Sequence, residues 1–148
     1  MENTAIQKIM DNTGRKPTEC NCSQCKSQCK TPCLGTPDDI LRLIDAGYTD
    51  KLAFTQWAVG LFIGKLPFSI PMVQASQTDK GCVFFRDGLC ELHDSGLKPT
   101  EGRLSCHNIK LENYIFELSL PWNVAKEWLD ENNRTKILKI FISMEYFK

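Results

Sequence analysis

The sequence predicts an α+β fold, mainly helical, with a small β-hairpin and a cysteine-rich segment. Several stretches carry apolar residues at helical spacing behind helix-start signals, and an Asp-Gly pair separates two short apolar runs. A further stretch, residues 15–35, is rich in cysteines and has no apolar pattern. A chain of 148 residues has the length of one domain and can bury about two thirds of its unfolded surface. We therefore interpret residues 1–148 as a single domain.

Two helices are predicted in the first third of the chain. Ile6, Ile9 and Met10 lie at helical spacing, and Gly14 is placed to end that helix. The second helix starts at 36–39, where a threonine cap is followed by a proline in the first helical position and two carboxylates near the positive end of the helix dipole. Its predicted buried face consists of Ile40, Leu41, Leu43 and Ile44.

A third helix is predicted after Gly47, which suits the left-handed conformation that closes a helix. Thr49 and Asp50 provide its start. The apolar side chains that it would carry are Leu52, Phe54, Trp57, Ala58 and Leu61. Because large aromatic side chains are usually buried, we interpret Phe54, Trp57 and Phe62 as core residues rather than as ligand-binding ones.

Strands are predicted in the middle of the chain. Residues 70–76 suit an edge strand, because Pro71 has no N–H to donate and a central strand needs all its N–H groups for pairing. Residues 82–85 and 89–92 flank the Asp87-Gly88 pair and predict a β-hairpin. The cysteine of each strand would then lie near the open end of this hairpin.

The last third of the chain is predicted to be mostly helical. Residues 94–106 are rich in Gly, Ser, Pro and Thr and suit a loop that returns Cys106 to the other cysteines. Residues 111–118 fit a strand or a helix, whereas 121–132 have the pattern of an amphipathic helix. Residues 135–147 satisfy both the helical and the alternating pattern, and we favour a helix.

Eight cysteines distinguish this chain, and five of them fall within fourteen residues. Residues 15–35 lack an apolar pattern, so this segment cannot fold around an ordinary core. Thiolates are soft metal ligands, and closely spaced ones can converge on one centre. We therefore predict that metal organises the cysteine-rich segment. The candidate ligands are Cys20, Cys22, Cys25, Cys29, Cys33, Cys82, Cys90 and Cys106.

The composition favours metal ligands over disulfides. The N-terminus lacks the apolar stretch of a secretory signal, and the longest apolar run, 57–63, is far short of the ~20 residues that span a bilayer. We expect a cytoplasmic protein with no membrane association, where thiols stay reduced. The 18 basic and 18 acidic residues balance, so no overall charge attracts the protein to nucleic acid. The partner class left open is an unidentified macromolecule other than nucleic acid.

The cysteine spacing does not fit one centre on a regular helix. Cys22, Cys25, Cys29 and Cys33 would share a face, but the outer two would lie about 16 Å apart along the axis. One tetrahedral site with metal–sulfur bonds of ~2.3 Å cannot span that distance. The segment is therefore irregular or serves more than one metal.

The number of cysteines suits two metal ions. A structural zinc site takes four ligands, so eight thiolates make two sites. An iron–sulfur cluster also takes four thiolates and stays an alternative. His93 and His107 are secondary candidates, since each lies close to a cysteine in the sequence.

These motifs resemble the YkgJ-type cysteine-cluster family, described as a zinc- or iron-chelating domain. The resemblance covers 20–107 and begins with Cys22-x2-Cys25-x3-Cys29. It continues in Cys82-Val-Phe-Phe-Arg-Asp-Gly88-Leu-Cys90-Glu-Leu-His93, which is similar to the family's Cys-x-Phe-Leu…Gly-x-Cys-x-Ile-Tyr stretch. Lys98-Pro99 followed by Cys106-His107 stands for its Arg-Pro-x2-Cys-Arg element. The resemblance implies zinc or iron binding and no particular reaction.

Two functional classes follow from the sequence. In the first, the thiolates hold zinc in a binding or structural module that orders a surface for another macromolecule. In the second, the cysteines hold iron or an iron–sulfur cluster with a redox or catalytic role. The chain has two histidines, no phosphate-binding glycine loop and no serine nucleophile motif, so no catalytic residue is assigned. A full set of thiolates is typical of a closed zinc site, which favours the first class.

Overall fold

A computed structural model describes most of the chain and has an α+β architecture, as predicted. The described residues are 5–15, 34–78, 81–86, 89–90, 92, 97, 99–104 and 115–145. The cysteine-rich segment that we expect metal to organise lies outside them.

Two helices begin the described part of the chain, six strands and one short helix occupy its middle, and three helices end it. The helices are α1 (Ala5–Thr13), α2 (Pro37–Asp45), α3 (Val59–Phe62), α4 (Thr100–Leu104), α5 (Leu120–Ala125) and α6 (Arg134–Glu145). The strands are β1 (Leu52–Trp57), β2 (Ile70–Ala75), β3 (Gln77–Thr78), β4 (Gly81–Cys82), β5 (Phe85–Arg86) and β6 (Leu89–Cys90). Short 3₁₀ turns span Thr49–Lys51, Phe116–Leu118, Lys126–Trp128 and Glu131–Asn133.

The first two predicted helices are confirmed as α1 and α2. The start of α2 is a capping box, in which the Asp39 N–H donates to Thr36 Oγ1 at 3.2 Å and the Thr36 N–H donates to Asp39 Oδ2 at 2.9 Å. Gly14 and Gly47 follow the two helices with φ of 73° and 91°, a conformation that glycine adopts without steric cost.

The predicted third helix is wrong, because its first half is strand β1. This strand pairs antiparallel with β2 in a register that runs from Leu52 opposite Ala75 to Trp57 opposite Ile70. Thr49–Lys51 forms only a 3₁₀ turn, and the pairing buries Leu52 and Trp57. The strand predicted at 70–76 is confirmed as β2. The apolar residues of 52–57 fit both periods, and long-range pairing with β2 decided between them.

The three aromatic residues that we expected in the core differ in their exposure to solvent. Trp57 is buried, as predicted, and its ring stacks near those of Phe116 and Trp122. The prediction for Phe62 is wrong, since 84 % of that residue is exposed. Phe54 is 43 % exposed, and its ring packs edge-on against Phe141.

The predicted hairpin around residues 87–88 is confirmed in a shorter form. Phe85 pairs with Cys90, and Arg86 pairs with Leu89. Cys82 was predicted to lie in the same hairpin, but it belongs to β4 and pairs with Gln77 of β3. The two cysteines therefore lie in separate strand pairs.

The predictions for the C-terminal third are confirmed in part. Part of the loop predicted at 94–106 is the short helix α4. Of 111–118, the described part is residue 115 and the Phe116–Leu118 turn. The helix predicted at 121–132 is α5, which tightens into a 3₁₀ turn at Lys126–Trp128 and is followed by a second 3₁₀ turn. The helix favoured at 135–147 is confirmed as α6.

The core gathers apolar side chains from most of these elements. Fully buried members come from α1, α2, β2, α4, α5 and α6: they include Ile9, Ile40, Leu43, Ile70, Val73, Leu104, Val124 and Ile140. Helices α2 and α6 pack together, as do α1 and α5. Because α4 contributes Leu104 to this core, the short helix is held by packing that its own five residues could not supply.

The buried carboxylate of Asp39 joins α2 to α4. Besides its bond from the Thr36 N–H, Oδ2 accepts the Thr100 N–H at 2.8 Å and the Thr100 hydroxyl. Arg42 Nη2 donates to Oδ1 at 2.6 Å. Asp39 is 2 % exposed, so its hydrogen-bond partners have no ready substitute in water. One side chain therefore caps α2 and fixes the first residue of α4.

We expect Asp39→Ala to lower the free energy of unfolding by about 3 kcal/mol, because the substitution removes a helix cap and leaves buried N–H groups without an acceptor. Urea unfolding monitored by circular dichroism measures this change. The matched control is Asp38→Ala in the same helical turn, where a half-exposed carboxylate contacts Lys136 Nζ at 2.7 Å. That surface ion pair contributes about 1 kcal/mol or less. Equal losses for the two variants would contradict the role given to Asp39.

Candidate metal centre

Two of the predicted metal ligands fall among the described residues. Cys82 lies in β4 and is 7 % exposed, and Cys90 lies in β6. The remaining candidates lie outside the described residues: Cys20, Cys22, Cys25, Cys29, Cys33, Cys106, His93 and His107. In the described part of the chain, no group of three or more His, Cys, Asp or Glu residues is arranged to hold a metal ion.

The described residues on either side of the cysteine-rich segment both bind α4. On the N-terminal side, Arg15 Nη1 donates to the Leu104 carbonyl oxygen at 3.2 Å. On the C-terminal side, the Leu34 N–H donates to Glu101 Oε1 at 3.0 Å, and the Glu101 N–H donates to the Leu34 carbonyl oxygen at 3.0 Å. Both flanks of residues 16–33 are therefore anchored on one five-residue helix.

The same helix leads directly to another candidate ligand. Leu104 is the last residue of α4 and is fully buried, and Cys106 follows two positions later in the sequence. Cys33 directly precedes Leu34. Leu34, which follows Cys33, and Leu104, which lies two residues before Cys106, are therefore both fixed at α4.

Gly35 lets the chain pass close to this junction. A Cβ atom on Gly35 would fall 3.1 Å from the Asp39 Cβ and 3.2 Å from the Pro99 Cβ, which is tighter than ordinary van der Waals contact. The Gly35 carbonyl oxygen accepts the indole N–H of Trp128 at 2.8 Å. Residues 34–36 are therefore held by α4 on one side and by Trp128 on the other.

Cys82 occupies the same core as the two anchor residues. Cys82, Leu34 and Leu104 belong to one cluster of buried apolar side chains. The next residue but one, Phe84, is 1 % exposed and packs edge-on against Tyr48 with ring centroids 5.4 Å apart. Lys51 Nζ lies 5.6 Å from the Phe84 ring centroid, within the range of a cation–π contact. The β4 cysteine is therefore held by its pairing with Gln77 and lies two residues before a tightly packed phenylalanine.

Glu101 is the one described group near this junction with a shifted pKa. Burial raises the pKa of its carboxyl above the ordinary 4.5, while the hydrogen bond from Leu34 and the charge of Arg15 act in the opposite direction. Removing a carboxylate from water disfavours its charged form, and here that effect exceeds the two favourable contacts. The hydrogen bond that holds Leu34 therefore goes to a carboxyl group whose charged form is disfavoured by burial.

No sequence pattern indicates the residues that hold the flanks of the cysteine-rich segment. Residues 36–39 indicate a helix start but not the contact of Asp39 with α4, and Arg15 and Trp128 belong to no motif that predicts their contacts. Thr100-Glu101 after Pro99 has the residue types of a helix start, and this pattern could have indicated α4.

The donor chemistry of the candidate residues fits a soft or borderline metal. The ligands predicted first are all thiols, and thiolates bind zinc and iron–sulfur centres. Cys82 is buried, so it would supply a thiolate shielded from water. A metal bound to several such thiolates would add a cross-link between elements that the apolar core already brings together.

Comparisons of the chain with protein-family models, with curated proteins and with solved structures gave no match. Among the described residues, no helix has both the length and the apolar character needed to cross a membrane.

The raised pKa of Glu101 gives a pH dependence with a defined sign. Between 4.5 and its folded-state pKa, Glu101 binds more protons in the folded chain than in the unfolded chain, so its contribution to stability is lost as pH rises through this window. Glu101→Gln keeps an oxygen acceptor for the Leu34 N–H and removes the titration. We expect the stability of this variant relative to wild type to increase as pH rises above 4.5.

Urea unfolding of the two proteins at a series of pH values from about 4 to 7 measures the difference and cancels contributions that both share. Glu101→Ala serves as the second variant, because it also removes the acceptor and should be less stable than Glu101→Gln at every pH. A difference between wild type and Glu101→Gln that does not change with pH would contradict the assignment.

Proposed function

We propose that this chain is a metal-binding module that uses its cysteine thiolates to hold zinc, two ions in total. The observation that carries the proposal is the anchoring of Arg15 and Leu34 on α4. A segment with no apolar pattern cannot form a hydrophobic core of its own. Hydrogen bonds to α4 nevertheless fix the residues at both of its ends. Such anchoring suits a segment whose own residues bind something.

Zinc is favoured over iron by the character of the ligand set. Eight thiolates complete two closed four-coordinate sites, the usual arrangement of structural zinc. Each such site carries a net charge of about −2, and Arg15, Lys16, Lys26 and Lys30 supply nearby positive charge that offsets it. The second candidate is an iron or iron–sulfur centre with a redox or catalytic role, for which the same thiolates would serve.

The role that we assign to the zinc is to order a surface. The apolar core of the described residues does not need metal to assemble, so the sites would organise residues 16–33 on an existing framework. The ordered segment would then bind another macromolecule. We also propose, from the motifs quoted above, that the chain is a YkgJ-type protein and that it works in the reducing cytoplasm.

We expect protein purified without chelators to contain about two equivalents of zinc and to be colourless, because zinc has a filled d shell whereas iron–sulfur clusters absorb in the visible. Elemental analysis and a visible spectrum of anaerobically prepared protein decide this. Metal content well below one per chain, with eight titratable thiols in the native state, would refute metal binding. A broad absorption that bleaches with dithionite would replace zinc by an iron–sulfur cluster.

We expect Cys25→Ser and Cys82→Ser each to release metal while α5, the helix predicted at 121–132, stays largely folded, because a hydroxyl is a poor substitute for a thiolate ligand and α5 packs against α1. Elemental analysis together with circular dichroism measures both effects. The matched control is Ser27→Ala in the same segment, which should keep its metal. A cysteine variant that keeps the full metal content would show that this cysteine is not a ligand. Because Cys82 is buried, Cys82→Ala separates loss of a ligand from burial of a hydroxyl.

A further inference from the structure

Apolar side chains are exposed where the β1–β2 connection meets the Phe116–Leu118 turn. Phe62 is 84 % exposed, and the other members of this group are between 41 % and 54 % exposed. We call the group the apolar tip: Val59, Leu61, Phe62, Ile63, Phe68, Ile115 and Leu118.

The two segments that carry the apolar tip pack against each other. The Lys65 and Leu66 N–H groups both donate to the Gly60 carbonyl oxygen, at 2.8 Å and 3.0 Å. A Cβ on Gly60 would fall 2.6 Å from the Leu66 side chain and 3.3 Å from the Phe116 ring. Lys65 Nζ and Glu117 Oε1 are 3.8 Å apart across the boundary. The connection therefore folds back on itself and packs directly against the 3₁₀ turn.

The size of the apolar tip calls for a partner. Together its seven residues expose roughly 700 Å² of surface. The largest apolar patch on a typical monomer is smaller, about 300–600 Å². A standard protein interface covers about 800 Å² on each partner. The tip thus has nearly the full area of one side of such an interface, and Phe62, its most exposed member, suits an aromatic anchor.

The charges beside the apolar tip favour a second copy of the chain as the occupant. Lys65 and Glu117 pair within one chain at 3.8 Å, have opposite signs and are each half-exposed or more. A two-fold interface brings the same patch of both copies together, so Lys65 of one chain can face Glu117 of the other while the reciprocal pair forms beside it. The chain has no net charge, so two copies do not repel. An anionic membrane would instead require an excess of basic residues, which the Lys65–Glu117 pair does not provide.

We propose that the apolar tip is the interface of a symmetric homodimer, with Phe62 as its anchor and the Lys65–Glu117 pair of each chain exchanging partners with the pair of the other chain. None of the candidate metal ligands belongs to the apolar tip. Dimer formation and metal binding are therefore tested on different residues of the chain.

Analytical ultracentrifugation of the metal-loaded protein tests the proposal. We expect a dimer for wild type, and for Phe62→Ser a dissociation constant raised by about tenfold or more, because the most exposed aromatic side chain of the tip is lost. The matched control is Leu138→Ser on α6, which removes a 59 % exposed apolar side chain outside the tip and should leave the dimer intact. A wild-type chain that is monomeric at about 0.5 mM, or a Phe62→Ser variant as dimeric as wild type, would overturn the proposal.

A charge exchange makes the test specific for the two-fold arrangement. Lys65→Glu and Glu117→Lys should each weaken self-association, since each places like charges opposite one another. An equimolar mixture of the two variants should form a heterodimer with affinity near that of wild type, because both inter-chain pairs are then restored. Failure of the mixture to associate would overturn the pairing. Binding of monomeric wild type to vesicles that contain anionic lipid would assign the tip to a membrane surface instead and would also overturn it.

Discussion

The hydrogen bonds made by the Asp39 carboxylate are the interaction on which the arrangement of the described residues most depends. This side chain closes the first turn of α2 and accepts both the N–H and the hydroxyl of Thr100 at the start of α4. A five-residue helix is not stable by itself in water, so α4 owes its position to Asp39 and to the burial of Leu104. Through α4, the same carboxylate positions Arg15 and Leu34 on either side of the cysteine-rich segment.

This arrangement separates two ways of stabilising a chain. The described residues bury aliphatic and aromatic side chains in a continuous core, in which the rings of Trp57, Phe116 and Trp122 lie within 6.3 Å of one another. Residues 16–33 have no apolar pattern with which to join that core. Hydrogen bonds from α4 hold their flanks, and we assign the organisation of the segment itself to metal.

Local signals in the sequence predicted α1, α2, β2 and α6, because helix caps and periodic apolar residues act over a few positions. Sequence reasoning was wrong for 52–57, where Leu52, Phe54 and Trp57 fit a helix and a strand almost equally and the partner strand lies more than a dozen residues away. It also placed Cys82 in the hairpin of Cys90. Pairing with the distant strand β2 determined the first outcome, whereas the second arose from a local pairing, of Cys82 with Gln77, that no turn signal in the sequence indicated.

The candidate site shows the same division. Eight cysteines are visible in the sequence because the residue type alone carries their chemistry. The contacts that position their flanks involve Glu101, Arg15 and the carbonyl oxygens of Leu34 and Leu104, whose roles depend on tertiary structure. A backbone carbonyl has no sequence signature, so an anchor of this kind emerges only from the fold.

Fixing both flanks of residues 16–33 on α4 has a consequence for the entropy of ligand assembly. The ends of this segment are brought together by the fold, so the cost of closing the loop is met before any ligand binds. Since that cost grows only with the logarithm of loop length, doubling the number of residues between Arg15 and Leu34 would add only about 0.6 kcal/mol. Natural variation in the length and spacing of the cysteine-rich segment would therefore leave the rest of the fold almost undisturbed.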